Sequence, residues 1–128
     1  MSALGFSLER IMMKTIIAGS RTASKREVWN ALCQCPWTDE ISCVISGCAQ
    51  GADTIGASWA NWKSIPVIEM PADWKSHGRS AGMIRNKAML DQADALLAIW
   101  DGHSPGTKNM IQITKKKGLK CFVFLTTA

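Results

Sequence analysis

Four polar clusters in this sequence hold the residues best suited to bind an anion or move a proton. In Gly19-Ser20-Arg21 a backbone open to close approach stands beside a hydroxyl and a guanidinium, the group that grips phosphate through paired hydrogen bonds. Gly47-x-x-x-Gly51, continuing into Ala52-Asp53-Thr54, sets free backbone N–H groups ahead of a helix start, where the helix dipole favours negative charge. The cluster lacks the Gly-Lys-Ser/Thr ending of a P-loop and the Gly-x-Gly-x-x-Gly of a dinucleotide fingerprint, which removes the classical NTPase and dehydrogenase readings. Asp53 suits either capping of that helix or acceptance from ribose hydroxyls, with capping favoured. Residues 71–86 open with Pro71-Ala72-Asp73-Trp74 and go on to His77, Arg79, Arg85 and Asn86, gathering charge and hydrogen-bonding groups around another helix start. There Asp73 is placed to pair with Arg79 or Arg85, and Arg85 and Asn86 to face a ligand. His77 is an acid, a base or a surface hydrogen-bonding group. Asp101-Gly102-His103-Ser104-Pro105-Gly106-Thr107 is a second anion-binding candidate, with Ser104, Thr107 and the amides around Gly106 as donors.

Each cluster follows an apolar run rich in β-branched residues: Thr15-Ile16-Ile17-Ala18, Val44-Ile45-Ser46, Val67-Ile68-Glu69-Met70 and Leu96-Leu97-Ala98-Ile99-Trp100. Such runs alternate with stretches of helical spacing, the signature of successive β-α units and a mainly parallel sheet. In such a sheet the carboxyl ends of the strands share one edge, and ligands bind in the crevice there. The four clusters therefore read as one composite pocket. Helices are expected over 24–32, capped by Ser24 and ended by Pro36, from Ala52 onward with Ile55, Trp59 and Trp62 on one face, and over 81–93. A fourth starts near Thr107, carries Met110, Ile111 and Ile113, and stops at Gly118. The last strand, over 119–125, needs apolar cover on both faces.

A length of 128 residues at 47% hydrophobic content suits one core rather than two domains. Residues 1–13 show no clear period and are expected as an N-terminal extension to a single domain over 14–128. No apolar run approaches the roughly 20 residues of a membrane span, and Glu9 and Arg10 interrupt the N-terminus where a signal peptide needs its apolar stretch. A soluble, cytoplasmic protein without a membrane partner is expected. The five cysteines at 33, 35, 43, 48 and 121 form no Cys-x-x-Cys pair, so neither a disulfide framework nor a metal site is expected, and no cofactor either. Cys43 and Cys121 read as small core residues, and Cys48 as a side chain that fits a tight turn. The net charge of +5 suits an anionic ligand, while Lys115-Lys116-Lys117 reads as the last turn of a helix rather than a nucleic-acid patch. Trp29, Trp59 and Trp62 are expected in the core or between subunits of a homodimer or dimer of dimers formed through helices. Trp74 and Trp100 sit at the carboxyl edge, each suited to stack on a base or to close its loop.

Taken in order, Gly19-Ser20-Arg21, Ser46-Gly47-x-x-x-Gly51-Ala52-Asp53, Pro71-Ala72-Asp73-Trp74 with His77-Gly78, Ala81-Gly82-x-x-Arg85-Asn86, and Asp101-Gly102-x-Ser104-x-Gly106-Thr107 resemble the YspA-like, cpYpsA-related branch of the SLOG superfamily. Its relatives include the LOG nucleotide hydrolases, molybdenum-cofactor carrier proteins and DprA. The resemblance spans about residues 14–125 and implies a Rossmann-like three-layer α/β/α domain with five mainly parallel strands in the order 3-2-1-4-5. It also implies a nucleotide or nucleotide-derived ligand at the carboxyl edge, such as an ADP-ribose-like signal in a phage–host conflict. Activity does not carry over with the motifs. LOG enzymes use Pro-Gly-Gly-x-Gly-Thr-x-x-Glu, and aligning Gly106-Thr107 puts Met110 where the catalytic glutamate belongs, while an arginine of the catalytic pair falls on Arg85. A module that senses or sequesters its ligand is the leading expectation, ahead of a hydrolase using Asp53, Asp73, Asp101 or His77. Single-stranded nucleic-acid binding ranks last.

Overall fold

The apolar runs become five strands in the computed structural model, which describes residues 13–126: β1 (Met13–Gly19), β2 (Ile41–Ser46), β3 (Val67–Glu69), β4 (Ala95–Trp100) and β5 (Lys120–Leu125). All neighbours pair in parallel, in the order β3-β2-β1-β4-β5. The extension expected over 1–13 lies outside the described residues apart from Met13, which opens β1. Helices α1 (Lys25–Gln34) and α2 (Ala52–Trp62) cover one face, while α4 (Ala81–Gln92) and α5 (Pro105–Lys117) cover the other. Between β3 and α4 lie a one-turn helix α3 (Trp74–His77) and a 3-10 turn (Gly78–Ser80), where the sequence suggested only a loop.

Alternation along the strands builds two cores. Ile17, Val44, Leu97 and Ile99 meet Val28, Leu32 and Trp59 of α1 and α2, while Ile16, Ile45, Leu96 and Ala98 meet Met89, Met110 and Ile111 of α4 and α5. α2 lies directly on β1 because Gly56 has no side chain: a Cβ there would stand 2.5 Å from the Ile17 side chain. Ser24 caps α1 as expected, accepting from the Glu27 amide at 3.1 Å while Glu27 accepts from the Ser24 amide at 2.8 Å, a reciprocal box worth about 1 kcal/mol. Gly118, at φ 79°, ends α5 just after Lys115, Lys116 and Lys117.

β5 is an edge strand paired with β4 alone, and it takes apolar cover on both faces: half-buried Phe122 and Phe124 pack against one core, Cys121 and Val123 against the other. Of the tryptophans on the outer helices only Trp59 is core; Trp62 is 68% exposed and tilts against the half-buried Trp29 with ring centroids 5.2 Å apart. Buried Trp37, by contrast, donates its ring N–H to Thr15 at 3.2 Å and seals the lower core.

Candidate functional site

The sheet order reverses between β1 and β4, so the loops leaving those two strands part to opposite faces and open a crevice at their carboxyl ends. A cavity of about 640 Å³ fills it, a volume typical of small-molecule sites. Its walls bring together Gly19, Ser20 and Arg21 after β1, Asp53 in α2, Trp74 in α3, Arg85 and Asn86 in α4, and Asp101, Ser104, Gly106 and Thr107 after β4. The first and last polar clusters are joined through buried Ser20, whose hydroxyl accepts from the Asp101 amide at 3.0 Å and stands 3.4 Å from the Ser104 hydroxyl.

Other expected site residues lie outside the cavity lining, and three of them, Gly47, Gly51 and Ala52, support it. Gly47, Gly51, Ala52, Pro71, Ala72, Asp73, His77 and Gly102 are absent from its lining. Gly51 holds φ 78° and runs so close to the Ser20 and Arg21 carbonyls that no side chain fits, and the Ala52 amide donates to Ser20 at 3.2 Å. Gly47 is enclosed by the site's own side chains: a Cβ there would lie 2.6 Å from the Arg85 guanidinium and 2.8 Å from the Asp53 carboxylate. Asp73 makes no ion pair with Arg79 or Arg85; it caps α3 through the Ser76 amide at 3.1 Å, and its hydrogen bonds to Ser76 hold its carboxyl below the ordinary range. His77 is exposed in the same short helix.

Asp53 also departs from expectation. The cap position of α2 is Gly51, which the chain's reversal requires, and Asp53 lies one residue inside the helix with its carboxylate turned back under the loop to accept from the Ala49 amide at 3.3 Å. It is 4% exposed, and burial pushes its carboxyl up to about 6 against the Ala49 amide and the Arg85 charge. Asp101 is the opposite case. The amide and hydroxyl of Ser104, each at 2.7 Å, and the His103 amide at 2.8 Å hold its carboxyl far below the usual range. At neutral pH Asp101 is a fixed anion committed to its own loop, whereas Asp53 titrates close to neutrality.

This makes stability pH-dependent in a specific sense. Between the ordinary 3.8 and about 6 the folded chain keeps a proton on Asp53 that the unfolded chain has released, so stability falls as pH rises through that window and then levels off. Asp53→Asn removes the effect. The wild-type minus Asp53→Asn difference in unfolding free energy is expected to drop by on the order of 2 kcal/mol from about pH 4 to about pH 7, read by urea denaturation. A flat difference curve would mean that Asp53 is solvated.

Arg85 and Asn86 tie the loops together. The Arg85 guanidinium donates to the Gly47 carbonyl and, at 3.2 Å, to Asn86, whose amide nitrogen reaches the Gly106 carbonyl and Asn109, both at 3.2 Å. A single dipeptide of α4 thus positions the loop after β2 and the start of α5. Trp100 closes its loop by donating to the Ser104 carbonyl at 3.1 Å, whereas Trp74 is 54% exposed and lines the cavity, with the edge of its ring near Gly82. Cys48 takes φ 66° in its turn and stays outside the lining.

Sequence reasoning left several wall residues out of the site. Arg79 adds a third guanidinium, and Met83, Met89 and Met110 add apolar lining. Helical spacing held the missing signal: four residues back and three forward from Asn86 stand Gly82 and Met89, and three forward from Gly106 and Thr107 stand Asn109 and Met110. Met89 and Met110 also belong to the core. The resulting cavity combines arginines with apolar side chains, and can hold a molecule with both anionic and planar apolar parts.

Comparison with known proteins agrees with the architecture. A model of the YspA, cpYpsA-related SLOG family matches residues 13–77. The Gene 61 protein of Mycobacterium phage D29 is 34% identical over 127 residues, covering 88% of this chain and 97% of that protein. Among solved structures, DNA processing protein A (DprA) of Streptococcus pneumoniae superposes with a TM-score of 0.70 at 15% identity, across 91% of this chain and 51% of that one. The chain thus spans about half the length of DprA, and the likeness is one of fold.

Proposed function

The chain belongs to the YspA, cpYpsA-related SLOG family, and from that premise we propose that it binds a nucleotide or nucleotide-derived small molecule at the β1–β4 switch point, as a sensing or sequestering module. The observation that carries this reading is the cavity's lining: Arg21, Arg79 and Arg85 suit anionic groups, while Trp74 and the methionines offer apolar surface for a base. The amino ends of α2 and α5 add their dipoles at the same edge. An ADP-ribose-like signal in a phage–host conflict fits this chemistry, and the phage-borne relative favours that setting. Residues 14–128 act as one ligand-binding domain in this reading. It is a cytoplasmic one; among the described residues no helix is long and apolar enough to cross a membrane.

Binding without turnover is favoured because Met110, buried in the cavity wall, stands where the LOG glutamate would supply proton transfer. The second reading, a hydrolase, rests on Asp53. Among the cavity's carboxylates it alone titrates near neutrality, the property of a general acid or base. Incubating the protein with nucleoside monophosphates, NAD, ADP-ribose and cyclic derivatives, followed by mass spectrometry of bound and free pools, separates the two. Intact return of one panel member is expected. Turnover that disappears in Asp53→Asn would establish the hydrolase instead.

A homodimer or dimer of dimers is also proposed, through the Trp29–Trp62 face of α1 and α2. A monomer mass of 14.0 kDa by light scattering at high micromolar concentration would remove it. Nucleic-acid binding stays last, because no dedicated basic and aromatic-rich strand is present in the sequence.

A further inference from the structure

We infer that the outer groove between α4 and α5 is a docking surface for an acidic amphipathic helix of a partner protein. Both helices bury their inner faces on the sheet through Met89, Met110 and Ile111, yet α4 also turns apolar side chains outward: Met83 is 61% exposed and Ile84 45%. With half-buried Ile113 of α5 they border a second cavity of about 520 Å³, separate from the one at the sheet edge but sharing two wall residues with it. Apolar area of this kind, left in water and gathered between two helices, is the ordinary form of a helix-receiving groove, and methionine adapts its shape to what enters.

Charge selects the occupant. Lys87, Lys116 and Lys117 border the groove against one carboxylate, Asp91, which stands 3.7 Å from Lys117 in the single ion pair among the described residues. Lys87 and Lys116 therefore meet no carboxylate within that set. A second copy docked by two-fold symmetry would set lysine against lysine, which disfavours self-association here. A segment with apolar residues at helical spacing and glutamates or aspartates flanking them answers both the floor and the rim. α4 and α5, with 12 and 13 residues, run for about 18–20 Å, so the groove receives three to four turns of such a helix.

Its position gives the surface a use. Met83 and Asn109 line this groove and the ligand cavity alike, and Asn109 is hydrogen-bonded to Asn86 at 3.2 Å. A docked helix rests on two walls of the ligand site, so partner and ligand each sense the other's presence through the same side chains.

The test uses the full chain and fluorescence anisotropy of a labelled helical peptide of about 16 residues, with leucines at i, i+3, i+4 and i+7 and glutamates elsewhere. A lysine-for-glutamate copy and vesicles of phosphatidylserine and phosphatidylcholine serve as competitors. Saturable, salt-sensitive binding of the acidic peptide alone is expected. Ile84→Glu should weaken it by about tenfold or more, and the double change Lys87→Glu with Lys116→Glu should transfer preference to the lysine peptide. Both variants alter exposed positions, and unchanged circular dichroism would show that they fold. Equal binding of both peptides, no binding, or indifference to both variants overturns the proposal. So does displacement by vesicles, loss of a homodimer in Ile84→Glu, or acceptance of the peptide only after removal of residues 1–12. These last three would assign the groove to a membrane, a second copy or the chain's own N-terminus.

Discussion

Gly19→Val is expected to lower the stability of the chain by about 3 kcal/mol or more, enough to unfold a domain of ordinary marginal stability. A Cβ at this position falls on the carbonyl oxygen of Ile99 and 2.9 Å from the Ala52 side chain, so it meets rigid backbone on one side and the start of α2 on the other. Neither can retreat. Gly19 pairs with Ile99 across the β1–β4 ladder, and the Ser20 amide donates to that same Ile99 oxygen at 2.9 Å. The Ser20 carbonyl in turn accepts from the Ala52 amide at 3.2 Å, so a shift at Gly19 propagates into α2 and into the cavity floor. Gly106→Ala is the matched control, since a Cβ there meets nothing within 4 Å. It is expected to leave stability unchanged or raise it by up to about 1 kcal/mol. Urea denaturation followed by circular dichroism compares the two. Equal midpoints would mean that the β1–β4 edge yields more than its hydrogen bonds imply.

The contrast between these glycines shows what the sequence could and could not carry. In the sequence both fall in polar clusters after apolar runs, and both read as places where backbone approaches a ligand. Only the third dimension separates Gly19, wedged between a strand and a helix, from Gly106, open to space. Strands and their order were legible because β-branched runs and intervening helical spacing leave few parallel topologies, and the resemblance of the ordered motifs named one of them. α3 was not legible: Asp73 caps it locally, but its single turn of Trp74, Lys75, Ser76 and His77 has no apolar period to announce a helix. Asp53 was misplaced for a related reason. An aspartate near a helix start reads as a cap, but the reversal before α2 demands positive φ, so Gly51 takes the cap position and the carboxylate is displaced into the cavity. Arg21 and Arg85 followed from residue type within the polar clusters, whereas Met89 and Met110 also serve the core and so carried no separate mark.

Arg85→Ala is expected to weaken binding of ADP-ribose, or of whichever panel member binds, by about 1.5–3 kcal/mol, roughly tenfold to more than a hundredfold. Arg21→Ala should lose a similar amount through its phosphate contact alone, because Arg21 is exposed and its removal leaves the surrounding hydrogen bonds in place. Arg85 has more to lose. Its guanidinium also holds the Gly47 carbonyl and orients Asn86, whose amide spans to Gly106 and Asn109, so the alanine variant loosens two loops as well as removing a charge. The two substitutions therefore differ in pH behaviour. The Arg85 charge is one of the influences holding the Asp53 carboxyl down against burial, so in Arg85→Ala that carboxyl moves further up and the pH dependence of binding shifts toward higher pH; in Arg21→Ala it stays where it was. Calorimetric titration across about pH 5 to 8, which brackets this raised carboxyl, reads both effects. Undiminished affinity in both variants would put the anionic groups elsewhere, and identical pH profiles would uncouple Arg85 from Asp53.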